Sequence, residues 1–202
     1  MSDTNIPSSL DNSDSVQHQQ IRAIFDDKTI TIYQAYNNEI ADSALLAQTF
    51  IPPLFDLERM TWIKPSFLWM AYRSGWATKT NQERILAIKI KRSGFEWALK
   101  NSTLTHGKNI NKVMPVRIQW DPERSIKLGK LPYRSIQIGL SKEAVEKYVN
   151  EWIVEIKDVT FLMKEIEECV KNKNFIEALA KLPKEEVYQF LEEPPSNLWS
   201  KE

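Results

Sequence analysis

The sequence contains few of the residues from which common catalytic and nucleotide-binding motifs are built. Only five glycines occur, and none has the spacing of a dinucleotide-binding turn (GxGxxG) or of a phosphate-binding loop (GxxxxGKS/T). The two histidines, His18 and His106, are too far apart for a local metal-ligand motif. The single cysteine, Cys169, excludes an internal disulfide and a cysteine-based zinc cluster. These absences argue against Rossmann-type, P-loop and metal-dependent enzymes, and we expect no metal site.

Long apolar runs and a secretory signal are also lacking. A membrane-spanning helix needs about 18 or more consecutive apolar residues, and the sequence has no such run. Residues 1–20 lack the basic start and the apolar centre of a secretory signal. We therefore predict no membrane association and a cytoplasmic location, which also fits the use of a single cysteine.

The net charge of zero conceals a strong asymmetry along the chain. Residues 21–142 carry 19 Lys and Arg against 10 Asp and Glu, whereas residues 143–202 carry 8 against 14. A basic middle region favours a phosphate-rich partner, either a nucleotide or a nucleic acid. The alternative is that the acidic ends and the basic middle neutralise each other on the surface.

The order of the predicted elements indicates an α+β fold with a mixed, mainly antiparallel sheet and flanking helices. TITIYQAY and ILAIKIKR read as strands, and a helix follows the first of them after an Asn cap. A second helix is predicted from Pro65 to Gly75. We expect three regions: a disordered polar tail (1–20), one α+β domain (21–160) and an acidic helical extension (161–202).

Three local predictions concern the second half of the domain. GFEWALKNST reads as a short helix, and DPER reads as a turn with proline in its second position between the strands VRIQW and YRSIQIGL. SKEAVEKYVNEWIVEI has the periodicity of one long amphipathic helix capped by Ser141.

Residues 59–76, RMTWIKPSFLWMAYRSGW, interleave aromatic and basic side chains without an acid. Such interleaving suits a base or a nicotinamide ring stacked on an aromatic, with phosphates held by cations. The predicted helix divides the stretch, and Trp69 has the spacing of a buried helical face. The candidate ligand-binding residues are therefore Trp62, Lys64 and Ser66 at the helix entrance, with Arg73 as a fourth.

Polar residues at the ends of two predicted strands are further candidates. Gln34 and Tyr36 continue the apolar row of TITIYQAY, which suggests that this row opens into a cleft; the alternative is a pair of satisfied buried polar groups. In YRSIQIGL, Gln137 shares a polar face with Ser135 and Gly139, where a ligand could lie. Arg22 is a candidate phosphate clamp or a surface arginine.

The runs IRAIFDDKTITIYQAY, RMTWIKPSFLWMAYRSGWA, VRIQWDPERS and YRSIQIGLSKEAVEKYVNEWIVEIKDVT resemble one family of bacterial and fungal proteins, the domain of unknown function 4291. The resemblance covers about residues 20–160. It implies membership of that family and no particular activity.

The order of elements also resembles that of an ADP-ribosyltransferase fold. That resemblance implies NAD as the cofactor, with Gln34 or Arg22 at the end of the first core strand and Thr61 to Ser66 in place of a Ser/Thr motif. Gln137 stands where those enzymes have a glutamate; a glutamine can bond a ribose hydroxyl but cannot act as a base, so Glu123 or another acid would have to do so. The implied catalytic residues are Gln34, Tyr36 and Gln137, and the implied cofactor-binding residues are Arg22, Trp62, Lys64, Ser66, Arg73 and Arg134.

Three hypotheses follow from these features. The first is an NAD-binding enzyme of the ADP-ribosyltransferase type that stabilises positive charge on the ribose as nicotinamide leaves. The second is a module that binds or processes nucleic acid through its basic, aromatic-rich surface. The third is a regulatory or scaffolding domain whose aromatic cluster is structural.

Overall fold

The computed structural model describes residues 18–106, 110–111, 113–196 and 198–199. The helices in this part are α1 (Asn38–Ala47), α2 (Phe67–Ser74), α3 (Arg92–Lys100), α4 (Glu143–Lys147), α5 (Thr160–Lys171) and α6 (Phe175–Lys181). The strands are β1 (Arg22–Ala23), β2 (Thr29–Tyr36), β3 (Thr61–Ile63), β4 (Arg84–Lys91), β5 (Ser102–Leu104), β6 (Val116–Arg124), β7 (Lys130–Leu140), β8 (Ile153–Asp158) and β9 (Glu186–Val187). None of the described helices is long and apolar enough to cross a membrane.

The strands form two main sheets and one small one. One sheet has the order β2-β4-β8 and the other β3-β7-β6-β5, while β1 pairs only with β9. All pairs are antiparallel except β5 with β6. The predicted α+β class with a mainly antiparallel sheet is therefore confirmed.

The two main sheets are bridged where the Tyr33 N–H donates to the Lys64 carbonyl over 2.6 Å. This is an isolated bridge between β2 and the residue after β3. Beside it the side chain of Gln34 donates to the Trp62 carbonyl over 3.1 Å. These two hydrogen bonds hold β2 beside β3 and the residue after it. We call this junction between the two sheets the seam, and the site lies next to it.

Two apolar clusters fix the sheets and helices. The first contains the alternating isoleucines of β2 and β4 and those of β6 and β7, together with residues of α1 and α3. The second covers the other face of β2, where Tyr33 meets Phe67 of α2 and Met163 of α5. β2 is thus covered on both faces, and five consecutive residues of it, 30–34, are buried.

Several predicted elements are present with the predicted ends. β2 coincides with TITIYQAY, and α1 begins where the Asn37 side chain accepts from the Ile40 N–H. α2 begins after Ser66, whose hydroxyl accepts from the Trp69 N–H, and it ends at Gly75, which has a φ of 59°. Glycine takes this left-handed conformation without the steric cost that a side chain brings, so the helix stops there.

The predicted turn at DPER is wrong, because β6 continues through it to Arg124. Pro122 pairs with Arg134, and the register shifts between Pro122 and Arg124. A strand tolerates proline at such an irregularity, where a ladder hydrogen bond is already missing. The chain turns later, where the Ser125 N–H donates to the Gly129 carbonyl over 2.9 Å.

The predicted long helix over residues 141–156 is also wrong. α4 passes into a π-helical turn (Tyr148–Trp152), and the chain then extends as β8. β8 pairs with β4, so its backbone groups are bonded in the sheet, and tertiary pairing overrides the helical periodicity. Ser141 does not cap α4 with its side chain; its hydroxyl donates to the Pro115 carbonyl over 2.8 Å.

The helix predicted for GFEWALKNST is present but shorter at its C-terminal end. It ends at Lys100 and is followed by β5.

The residues that follow position 160 are packed against the rest of the chain. Met163 and Ile166 of α5 and Ala178 of α6 are buried in the second cluster, and Tyr188 in the first. The division of the chain at residue 160 stays a prediction. At the other end of the chain, residues 1–17 of the predicted disordered tail (1–20) lie outside the described residues. The last residue of that tail is bonded to the sheet, because the Gln20 N–H donates to the Arg134 carbonyl over 3.0 Å.

We predict that Gly94→Ala lowers the free energy of unfolding by about 1–3 kcal/mol, the usual cost of overpacking a core. A Cβ at Gly94 in α3 would lie 2.4 Å from Cγ of Trp152. Helix propensity alone would favour alanine here by about 1 kcal/mol, so the sign of the change tests the packing. The measurement is urea denaturation. Gly129→Ala is the control, because its new Cβ would meet only the Ser125 hydroxyl at 3.4 Å; equal stability of the two variants would contradict the packing.

Candidate functional site

A cavity of about 740 Å³ lies beside the seam, at the end of β2 and above β3. Its volume is in the range of pockets that bind small molecules and cofactors. Its lining includes the segments before and after α1, the end of α2, and glutamines from β6 and β7. The lining residues are Gln34, Ala35, Tyr36, Asn37, Ile40, Leu54, Phe55, Asp56, Arg59, Met60, Thr61, Trp62, Lys64, Met70, Arg73, Asn81, Gln82, Gln119 and Gln137.

The carboxylate of Asp121 lies behind one wall of the cavity, where it bonds side chains that do line it, while Asp121 itself is not a lining residue. Oδ2 accepts from Nε2 of Gln137 over 2.6 Å, and Oδ1 accepts from Nε2 of Gln119 over 2.9 Å. Gln119 and Gln137 are register partners across β6 and β7, and Asp121 lies two residues further along β6 on the same face. The ladder between these strands therefore fixes the three side chains relative to one another.

Lys64 is the third donor to Asp121. Its Nζ lies 3.5 Å from Oδ2 and 3.0 Å from the centroid of a Trp69 ring, and the residue is only 3% exposed. Burial lowers the pKa of Lys64 well below its usual value; the Asp121 carboxylate opposes this effect, and the nearby charge of Arg73 adds to it. The position of this amine is fixed, and its neutral form is favoured far more than in a surface lysine.

A second hydrogen-bond chain starts at Gln34. Its Nε2 donates to the Thr61 hydroxyl over 2.8 Å, and its Oε1 accepts from the Tyr148 hydroxyl over 2.7 Å. The hydroxyls of Tyr36 and Thr61 are 3.3 Å apart. Burial raises the pKa of both tyrosines, so they keep their protons at neutral pH. Both ends of the Gln34 amide are engaged inside the protein, and this chain is a rigid wall of the cavity.

The mouth of the cavity carries an aromatic ring and two cations. Arg59 and Arg73 are exposed there, and Arg73 donates to the Gln82 side chain over 3.1 Å. Trp62 lies across the strand pair on Gly139, where a Cβ would come within 2.9 Å of its indole. Glycine is needed at this close approach, because any side chain would push the ring towards the cavity.

Two carboxyl groups lie under the start of α2. Oε1 of Glu123 accepts from the Ser66 hydroxyl over 2.9 Å, and Oε1 of Glu185 accepts from the Phe67 N–H over 2.7 Å. Burial raises the pKa of both groups, that of Glu185 to about 8 with a further contribution from the charge of Glu123. The first turn of α2 is thus bonded to groups of the chain itself, and Ser66 does not line the cavity.

The cavity brings together six of the nine residues singled out from the sequence: Gln34, Tyr36, Trp62, Lys64, Arg73 and Gln137. The other three, Arg22, Ser66 and Arg134, do not line it. Arg22 donates to the Glu185 carbonyl over 3.2 Å, and Arg134 donates to the Trp120 carbonyl over 3.1 Å. Arg134 is three residues from Gln137 on β7, so strand alternation turns it to the other face.

Sequence reasoning noted Arg59 as a cation and Asp121 and Gln119 as polar residues but chose none of the three as a site residue. Asp121 was assigned to the DPER turn, where a carboxylate has a local capping role. The alternation of Arg117, Gln119 and Asp121 against the apolar Val116, Ile118 and Trp120 would have shown one continuous polar face, had the strand been extended through Pro122.

The fold and the site describe an α+β protein with a polar cavity next to a junction between two antiparallel sheets. The chain belongs to the family described as domain of unknown function (DUF4291), whose model matches residues 20–188. The matched region extends past residue 160 and includes α5, α6 and β9. A comparison with curated proteins found none that matches the chain.

We predict that the free energy of unfolding falls as the pH rises from about 5 to 8 and that Glu185→Gln removes much of this dependence. The pKa of Glu185 is raised from 4.5 to about 8 in the folded protein. Its contribution is thus fully present below pH 4.5 and is lost as the pH rises through 8. Glutamine keeps the acceptor for the Phe67 N–H without the charge.

Urea denaturation at several pH values measures this dependence. Glu186→Gln is the matched control, since Glu186 is the next residue along the chain and is exposed. This variant should keep the wild-type dependence of the unfolding free energy on pH. An unchanged slope in Glu185→Gln would show that Glu185 is not the group responsible.

Proposed function

We propose that the protein is an enzyme of the ADP-ribosyltransferase type that binds NAD in the cavity beside the seam. The observation that carries this proposal is that a stacking ring, two exposed arginines and two glutamines bonded to the Asp121 carboxylate behind them line one concave site of about 740 Å³. A nucleotide has the complementary parts: flat bases, phosphates and ribose hydroxyls.

Each part of NAD has a partner of suitable chemistry. Trp62 offers a ring face for the nicotinamide. Arg59 and Arg73 at the mouth suit the pyrophosphate, because guanidinium groups bind phosphate oxygens in paired hydrogen bonds. Gln137 and Asp121 suit the ribose hydroxyls, one as donor and the other as acceptor. Lys64 has no phosphate role in this proposal, since its amine is buried against Asp121.

Asp121 supplies the acid that Gln137 cannot. In the proposed reaction the bond between nicotinamide and ribose C1′ breaks, and its electron pair leaves with neutral nicotinamide. Positive charge then develops on the ribose, and a fixed carboxylate nearby stabilises it. The acceptor attacks C1′ and gives up its proton, which the Asp121 carboxylate accepts in this proposal. We propose nucleic acid as one class of molecule that accepts the ADP-ribose group.

The alternative, a nucleic-acid-binding module, receives less support from the arrangement of cations. A broad basic surface needs cations that are free to contact phosphates. Two cations of the basic middle region are instead engaged by groups of the chain itself: Arg84 pairs with Asp42 and Asp158, and Arg92 donates to the Asp26 carbonyl. A cytoplasmic location is part of the preferred proposal, since NAD is available there.

We predict that NAD binds to the wild-type protein and that Arg73→Ala weakens its binding about tenfold or more. Hydrogen bonds to charged groups contribute about 1.5–3 kcal/mol, and each 1.4 kcal/mol is a factor of ten. Isothermal titration calorimetry is the measurement. Lys91→Ala is the charge-matched control. Tyr36, which lines the cavity, pairs with Arg84 at one end of β4, whereas Lys91 is at the other end of that strand.

Absence of binding up to millimolar NAD would refute the proposal. Salt-sensitive binding of single-stranded RNA or DNA without NAD binding would favour the nucleic-acid alternative instead.

We also predict that Asp121→Asn lowers the rate of nicotinamide release from NAD about 100-fold or more while weakening the affinity for NAD only about tenfold, the cost of the charged ribose hydrogen bond that is lost. Removal of one electrostatic group that acts in the transition state costs roughly this factor in rate. Asparagine keeps the size and one acceptor, so the cavity retains its shape. Chromatography of released nicotinamide, beside calorimetry, separates the two effects; a loss of affinity equal to the loss of rate would assign Asp121 to ground-state binding only.

A further inference from the structure

Lys64 differs from the exposed lysines in being both buried and in contact with a cavity. Its side chain is 4% exposed, yet it forms part of the cavity lining. A lysine in such a place is a reactive amine when two conditions hold: the nitrogen must be held in position, and a proton acceptor must be close.

Both conditions are met by neighbours on two elements. The Trp69 ring on α2 lies 3.0 Å from Nζ and limits its movement. Asp121 on β6 is 3.5 Å away and accepts two shorter hydrogen bonds from the amides of Gln119 and Gln137. Its carboxylate is therefore shared among three donors, and its pairing with Lys64 is the longest of the three contacts.

The charges that face Nζ decide how often the amine is neutral. Asp121 and Glu123 of β6 favour the ammonium, whereas burial and the charge of Arg73 on α2 oppose it. Burial is the largest of these effects, and the pKa of Lys64 is lowered well below its ordinary value of 10.5. Each unit of this decrease raises the neutral fraction at pH 7 about tenfold.

We propose that Lys64 is a nucleophilic amine that condenses with the carbonyl carbon of a phosphorylated sugar, or of a similar aldehyde, held in the cavity. This inference goes beyond NAD binding and does not require NAD to be the ligand. The substrate class follows from the lining: Arg59 and Arg73 at the mouth suit a phosphate, and the amides of Gln119 and Gln137 suit hydroxyl groups.

The reaction balances with the groups present. The lone pair of Nζ attacks the carbonyl carbon, and Asp121 passes the first proton that the nitrogen loses to the carbonyl oxygen, which gives a carbinolamine. Asp121 then passes the second proton of the nitrogen to the hydroxyl group, which departs as water. One water leaves, and an imine joins Nζ to the sugar carbon. No oxidant or cofactor takes part.

The test is reductive trapping in the wild-type protein. Ribose 5-phosphate and sodium cyanoborohydride are added at pH 7, and the added mass on each lysine is followed by peptide mass spectrometry. We expect Lys64 to be modified about tenfold or more faster than the exposed Lys91, because surface ammonium groups do not attack carbonyls. Equal or slower modification of Lys64 overturns the proposal.

Two further comparisons test the site and the phosphate preference. Lys64→Arg should remove the fast modification and leave that of Lys91 unchanged. Arg59→Ala should slow the trapping of ribose 5-phosphate at Lys64 about tenfold and change that of the uncharged glyceraldehyde less than about twofold; an equal effect on both sugars overturns the assigned substrate class. Since the decisive comparison is between two lysines of the wild-type chain, it does not depend on how well a variant folds.

Discussion

The hydrogen bond between the Tyr33 N–H and the Lys64 carbonyl is the contact on which the site depends. It joins the two main sheets through their backbones, and it places Lys64 directly beside β2. Gln34, the next residue of β2, holds Thr61 and the Trp62 carbonyl with its side chain. The cavity lies beside this junction.

The sequence allowed much of the local structure around this junction to be predicted. Tyr36 and Gln34 end a strand whose apolar alternation is unmistakable, and Gly75 ends a helix that begins at a proline. These features depend on neighbours along the chain, through propensity, caps and periodicity. That is why six of the nine candidate residues lie around one cavity.

What sequence reasoning missed depends on contacts between distant segments. β8 has a helical pattern, but β4 offers it an unpaired edge, and sheet pairing decides its conformation. Pro122 looks like a turn residue, yet β7 pairs along both sides of it. Asp121 consequently lies on the same face as Gln119 and Gln137. The role of this carboxylate arises from a register between two strands, which no local pattern specifies.

The mutual hydrogen bonds of Asp121, Gln119 and Gln137 have a consequence for selectivity. A ligand that reaches this carboxylate must displace an amide donor, and the displaced amide must then find a new acceptor. Binding there is an exchange of hydrogen bonds and gains little net free energy from any single one. The exchange is balanced for a molecule that brings both a donor and an acceptor, as the hydroxyl groups of a vicinal diol do. A molecule with only one of these leaves an amide or a carboxylate oxygen without a partner, and we expect it to bind less well for that reason.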